Sequence, residues 1–261
     1  YPENCGLGEN PELKKSSKEL ALELYEEGIP KIFFGAEGPL LKNAIDAGKL
    51  YKCSMLTVTP NSKDGSCVTI NSTRIVIDDC INSLKLGKAM LDLTEQVDMA
   101  VKFIKQNIPG FENAYFDGFA PRLGVRESRR IMGEYVLCRE DVTQGIKRED
   151  GVCKGGHEVD VHGKDKDHLR YTIKDAGSYD IPLKSLIPKK VENLFIAGRC
   201  LSSDRIANSS ARVMGTCMAM GQAVGTAAYL CAKNGITPRQ VSITEIREVL
   251  KEQGAILDGT K

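Results

Sequence analysis

Apolar residues near the start of the chain recur every three to four positions, and then their spacing falls to two. Ser16 and Ser17 can cap an amphipathic helical run over 18–27, with Leu20, Leu22, Leu24 and Tyr25 among its apolar positions and Gly28 behind it. Pro39 opens a second helical run over 40–47 that Gly48 stops. From Tyr51 the pattern alternates. Tyr51, Cys53, Met55, Thr57 and Thr59 fall on one side and Lys52, Ser54, Leu56 and Val58 on the other, which predicts a strand ended by Pro60. A turn cluster at 61–65 and short strands at 67–70 and 74–77 follow, an antiparallel pattern rather than a strand–helix–strand alternation.

Helical spacing returns over 86–107, where Leu91, Val97, Ala100, Val101 and Ile104 make one stripe, and Pro109-Gly110 ends it. An aromatic loop, 111–120, carries Phe111, Tyr115, Phe116 and Phe119. Residues 121–137 read as strand material broken by glycines, and 140–145 as one helical turn. The polar stretch 147–178 predicts loops with short strands at 159–161 and 171–173, and 179–182 is extended. The last third differs. Residues 193–198 form a compact apolar run with polar flanks, the pattern of a buried parallel strand. A helical run over 214–233 then carries Gly215, Ala219, Gly221, Ala223, Gly225, Ala227 and Ala228. Each glycine weakens an isolated helix by about 0.8–1 kcal/mol, so either the helix packs tightly on a sheet or something else approaches its backbone. Gly235 closes it, and short terminal helices start at Thr237-Pro238 and Thr244. The fold expected is α/β: an α+β-like cap portion over 1–175 and a returning strand–helix segment over 176–261.

Composition narrows the classes. At 41% hydrophobic over 261 residues, the chain can bury a sizeable core and is unlike a disordered segment. Thirty-six basic residues against 35 acidic ones leave a net charge of +1, which argues against neutralising a nucleic-acid backbone. No apolar run reaches the length of a membrane span, and the first twenty residues are too polar for a signal peptide. Nine cysteines cannot all pair internally, and none forms a CxxC, so a zinc ribbon, a locally held iron–sulfur cluster and a thioredoxin-like pair are disfavoured. A reducing, cytoplasmic setting is expected. The chain opens on Tyr1 rather than Met, which reads as a piece cut from something longer.

Three features carry candidate chemistry. A helix whose first turn is Met214, Gly215 and Thr216 offers free N–H groups and the positive end of a dipole, suited to an anion or an electron-rich ring edge. Arg122, Arg126, Arg129 and Arg130 crowd one segment with only Glu127 and Glu134 nearby, so they can either grip an anionic substrate in two-point hydrogen bonds or serve as solvated salt-bridge partners. His162 lies two residues after Asp160, on the same face of a strand, and the pair could move protons or simply hydrogen-bond to each other. The spacings between His157, His162 and His168 fit no local zinc motif, so no metal is expected. Cys200, with no cysteine near it in sequence, reads as a packed thiol.

The run Asn193-Leu-Phe-Ile-Ala-Gly-Arg-Cys200, followed by Ala211-Arg-Val-Met-Gly-Thr-Cys-Met-Ala-Met-Gly-Gln-Ala-Val-Gly-Thr-Ala-Ala228, resembles the C-terminal flavin-contacting segment of FAD-dependent oxidoreductases of the glutathione-reductase-like superfamily. The likeness extends upstream through 109–115, 121–137, 160–162 and 179–188, covering roughly 86–261. It implies FAD as cofactor. Gly198 and Arg199 would then lie at the ribityl–pyrophosphate region, the loop Arg212–Thr216 would face the isoalloxazine ring, and Arg126 and Arg129 would be the arginines nearest the flavin. The following helix would point its N-terminus at the pyrimidine edge and favour the negative charge of the reduced ring. Such proteins bind the ADP half of FAD through a GxGxxG between a strand and a helix. No stretch of these residues fits that motif: Gly6-Leu-Gly lacks the third glycine. Two positions also depart from the family pattern, Arg205 where many relatives carry histidine and Gly215 where many carry proline. The expectation is therefore a piece of an enzyme that passes a hydride between a small, anionic organic substrate and flavin, inactive without its N-terminal half. It binds neither nucleic acid nor membrane. The competing expectation is a non-catalytic interaction or substrate-binding domain with no cofactor.

Overall fold

The computed structural model describes residues 32–36, 38–62, 66–162 and 168–258. The predicted helix over 18–27 lies outside them. The chain divides into two compact units, one ending at Leu123 and one beginning at Gly124.

In the first unit, β1 (Ile32–Gly35), α1 (Pro39–Asp46), β2 (Met55–Pro60) and β3 (Val68–Asn71) precede the long α2 (Ser83–Asn107). The strands make one antiparallel sheet in the order β1-β2-β3, with Phe34 opposite Leu56 and Val58 opposite Ile70. Pro39 starts α1, where a missing N–H costs nothing, and Gly48 at φ +67° leaves it. The Asn82 side chain caps α2 by accepting from the amides of Leu84 and Lys85. Phe34, Leu41, Leu50, Leu56, Val58, Phe103, Ile104 and Ile108 form the core between sheet and helices. The sequence places a strand at 74–77, but that segment forms no ladder. The Gln96 side chain instead brackets Arg74, donating to its carbonyl and accepting from its amide, both at 2.9 Å.

The second unit contains α3 (Arg139–Thr143), β4 (Gly151–Gly155), β5 (Val159–His162), β6 (His168–Tyr171), β7 (Tyr179–Pro182), α4 (Arg205–Ala211), α5 (Met214–Asn234) and α6 (Ile243–Glu252). Two antiparallel pairs, β4-β7 and β5-β6, are its sheets. The mixture of helices and small sheets is α/β, as expected. Tyr179, Ile181, Leu137, Leu186, Leu201, Met220, Leu230, Ile246 and Leu250 anchor the core. Gly155 faces Tyr179 across the ladder, and any side chain there would run into the ring. Asp204 ties two helices together: Oδ1 accepts from the Ala207 amide of α4, and Oδ2 from the Arg139 amide of α3.

Three expectations fail in this unit. Residues 193–197 form no strand: Asn193 sits at φ +53°, and Leu194 is 40% exposed; a parallel strand needs neighbours alongside, and no described residues supply them. The Ile196 amide is held by the Leu186 carbonyl at 2.9 Å. Residues 121–137 make isolated bridges, Gly133 to Pro188 and Leu137 to Ser203, instead of strands. Thr237-Pro238 forms a turn, not a helix.

Candidate functional site

The helix α5 has two unlike faces. Thr216, Met220, Ala223, Thr226, Ala227, Leu230 and Cys231 are buried and pack toward β4 and α6. Met214, Gly215, Met218, Gly221, Gly225 and Tyr229 share the other face and are exposed, Met214 by 82%. A Cβ built on Gly215, Gly221 or Gly225 would meet nothing within 4 Å among the described residues. The same face begins beside a bare helix end. Val213 caps α5 without any side-chain hydrogen bond, so the Met214, Gly215 and Thr216 amides keep the orphan donors of a first turn. Thr216 is itself buried, whereas Met214 and Gly215 are exposed.

Gly198 opens a short 3-10 turn, Gly198–Cys200, at φ +80°, a conformation that suits glycine. Its Cα lies against Cys217 of the first α5 turns, with a built Cβ 3.8 Å from that sulfur. The Cys217 thiol donates to the Arg212 carbonyl at 3.2 Å, and burial raises its pKa while the Arg199 amide pulls the other way. Arg199 is exposed, and its carbonyl accepts from the fully buried Asn208 side chain at 3.1 Å. Gly198 and Arg199 thus lie beside Cys217, in the first turns of the helix that Met214, Gly215 and Thr216 begin.

Arg212 ends α4 and reaches back to β5, where its Nη2 donates to the Asp160 carbonyl at 3.1 Å. Burial, with Arg126 alongside, draws its pKa below the ordinary guanidinium value. Ser209 of α4 accepts from the Asp160 amide at 3.2 Å, so the helix holds this strand by both main-chain groups. The Asp160 carboxylate pairs with Arg126 at 3.6 Å and, across the hairpin, with Arg170 at 3.8 Å. Glu127 pairs with Arg130 at 3.0 Å and with Arg205 at 3.5 Å. Arg129 is exposed on the same segment and makes no ion pair among the described residues. His162 ends β5 opposite His168 in the hairpin register.

Sequence reasoning found the arginine segment and its neighbour Glu127, but not the meeting of Arg126, Arg170 and Arg212 at Asp160. Asp160, Arg170 and Arg212 meet because β5 and β6 pair in a register that sets Asp160 opposite Arg170, and because α4 ends over β5. A hairpin reading of 159–171 would have exposed the first of these pairs. Among the described residues no cluster of histidine, cysteine and carboxylate is arranged to hold a metal. No described helix is long and apolar enough to cross a membrane.

Residues 23–250 match the model of a protein family described as FAD dependent oxidoreductase. No curated protein and no solved structure matches the chain.

Proposed function

The chain belongs to the FAD dependent oxidoreductase family, and from that membership we propose that it supplies the flavin-facing and substrate-facing parts of an enzyme that passes a hydride between a small anionic substrate and FAD. When bound, FAD supplies the hydride acceptor or donor. The residues present suit it. The orphan amides of Met214, Gly215 and Thr216 offer donors and a positive helix end to the electron-rich edge of the ring, and the space over Gly215 leaves them open. Gly198 and Arg199, at the φ +80° turn beside them, would hold the ribityl–pyrophosphate region, and Arg212 with the first turn of α5 would lie along the ring.

Arg126 and Arg129 would bind the substrate's anionic group, and His162 would exchange a proton with the substrate. The place within the glutathione-reductase-like superfamily belongs to the same proposal, as does a cytoplasmic setting. So does the need for a GxGxxG-bearing segment, without which FAD would bind weakly and turnover would be absent. The face of α5 that is exposed among the described residues is where such a segment would lie. The observation that carries the reading is the meeting of Gly198 with the uncapped end of α5, within residues that match the family.

The test is the visible spectrum of the protein purified from its complete reading frame. A yellow protein whose flavin band bleaches on reduction is the expected result. A colourless protein that takes up no added FAD would leave the cofactor-free binding domain as the better account.

A further inference from the structure

We propose that the arginines around Asp160 and Glu127 form a receptor for a molecule bearing two anionic groups a short distance apart, with Asp160 as its positioning residue. The proposal deepens the reading above and rests on its premise of an anionic substrate. Two carboxylates are shared among five guanidiniums: Asp160 contacts Arg126 and Arg170 through its side chain and Arg212 through its carbonyl, and Glu127 contacts Arg130 and Arg205. Arg126, which pairs with Asp160, and Glu127 are consecutive in the chain, so the two groups adjoin.

Both groups carry more positive than negative charge among the described residues. The carboxylate contacts are also loose. At 3.5–3.8 Å, three of the four side-chain pairs are longer than a closed guanidinium–carboxylate hydrogen bond of about 2.8 Å. Guanidiniums held near one another at that ratio repel, and each has five N–H donors to offer. An anionic group arriving at each relieves the repulsion and fills those donors. A molecule with one charge satisfies only one of the groups, which is the physical basis for preferring two. Asp160 acts through the arginines. Ser209 and Arg212 fix its backbone to α4, and its carboxylate in turn orients Arg126 and Arg170. The two anionic groups can be the carboxylates of a substrate or the phosphates of a diphosphate, and the test separates these sources.

The measurement is calorimetric titration of the full chain, at constant ionic strength, with succinate, inorganic pyrophosphate and acetate. Succinate or pyrophosphate is expected to bind at least about tenfold more tightly than acetate, with R126Q and R205Q each weakening the divalent ligand about tenfold and leaving acetate less affected. Tighter succinate assigns the receptor to a dicarboxylate, and tighter pyrophosphate to a diphosphate. D160N is expected to weaken the divalent ligand several-fold while D160E restores it, a rescue that a purely structural role would not show. Circular dichroism of each variant checks that it folds. Equal binding of acetate and succinate, or divalent binding unchanged in both arginine variants, overturns the proposal. Flavin content is read separately: a flavin-loaded protein indifferent to both divalent ligands sinks this inference alone, whereas divalent binding by a protein that never takes up FAD supports it and sinks the oxidoreductase reading.

Discussion

Gly155 and Gly221 occupy opposite situations in the second unit: one has no room for a side chain, and the other has open space among the described residues. Gly155 is glycine because Tyr179 fills the space a side chain would need. Around it the packing is closed. Tyr179 is fully buried with its hydroxyl 2.9 Å from Ser210 Oγ, and Lys154 and Asp180 make a nearly buried ion pair at 2.6 Å. Gly221, with Gly215 and Gly225, faces open space on α5, where nothing described requires a missing side chain. This helix gives up stability at three positions with no neighbour among the described residues to accommodate. The closed region explains the fold, and the open one points to function.

The contrast can be broken from the closed side first. Lys154→Met leaves the Asp180 carboxylate buried without its cation, and unfolding titrations should show a loss of about 3–5 kcal/mol. A loss below about 1 kcal/mol would mean that the region is wetter than its burial implies. Gly155→Ala should cost about 1–3 kcal/mol as the Tyr179 ring is displaced, read as a drop in denaturation midpoint at unchanged m-value.

Alkaline pH probes the same core. Burial pushes the Cys153 thiol up to about 12, so the folded state holds its proton where the unfolded chain has released it. Stability from this group is complete below the unfolded thiol's pKa of roughly 8.5 and falls by about 1.4 kcal/mol per pH unit above it. Melting temperatures between neutral and strongly alkaline pH should decline along that slope, and Cys153→Ala should flatten part of the decline.

The open side should respond with the reverse sign. Gly221→Ala and Gly225→Ala should each raise the stability of the 261-residue chain, by up to about 1 kcal/mol, because alanine is the better helix former and meets no obstacle. In the protein from the complete reading frame the same changes should lower flavin content. A gain in both would mean that nothing docks against this face. The smallest effect belongs to Arg129→Gln, which should move stability by less than about 0.5 kcal/mol, since Arg129 is exposed and makes no ion pair among the described residues.

Local signals made much of the fold legible. Pro39 and Gly48 bracket α1 as the sequence suggests, and the small-residue run that predicts a helix over 214–233 is α5. Signals that depend on a distant partner misled. The apolar run at 193–198 has every mark of a buried strand, but a strand is defined by what lies beside it, and this one has an open edge. The site divides the same way. Gly198 and the end of α5 follow from a linear motif, whereas Asp160 as the meeting point of three arginines follows from a hairpin register and a helix end that no local pattern encodes.

Amide hydrogen exchange on the protein from its complete reading frame, with FAD bound and with FAD stripped, tests the central claim most directly. FAD should protect the amides of 194–199 and 212–217, with little change around the β4-β7 ladder. Protection that spares both segments while appearing elsewhere would contradict it.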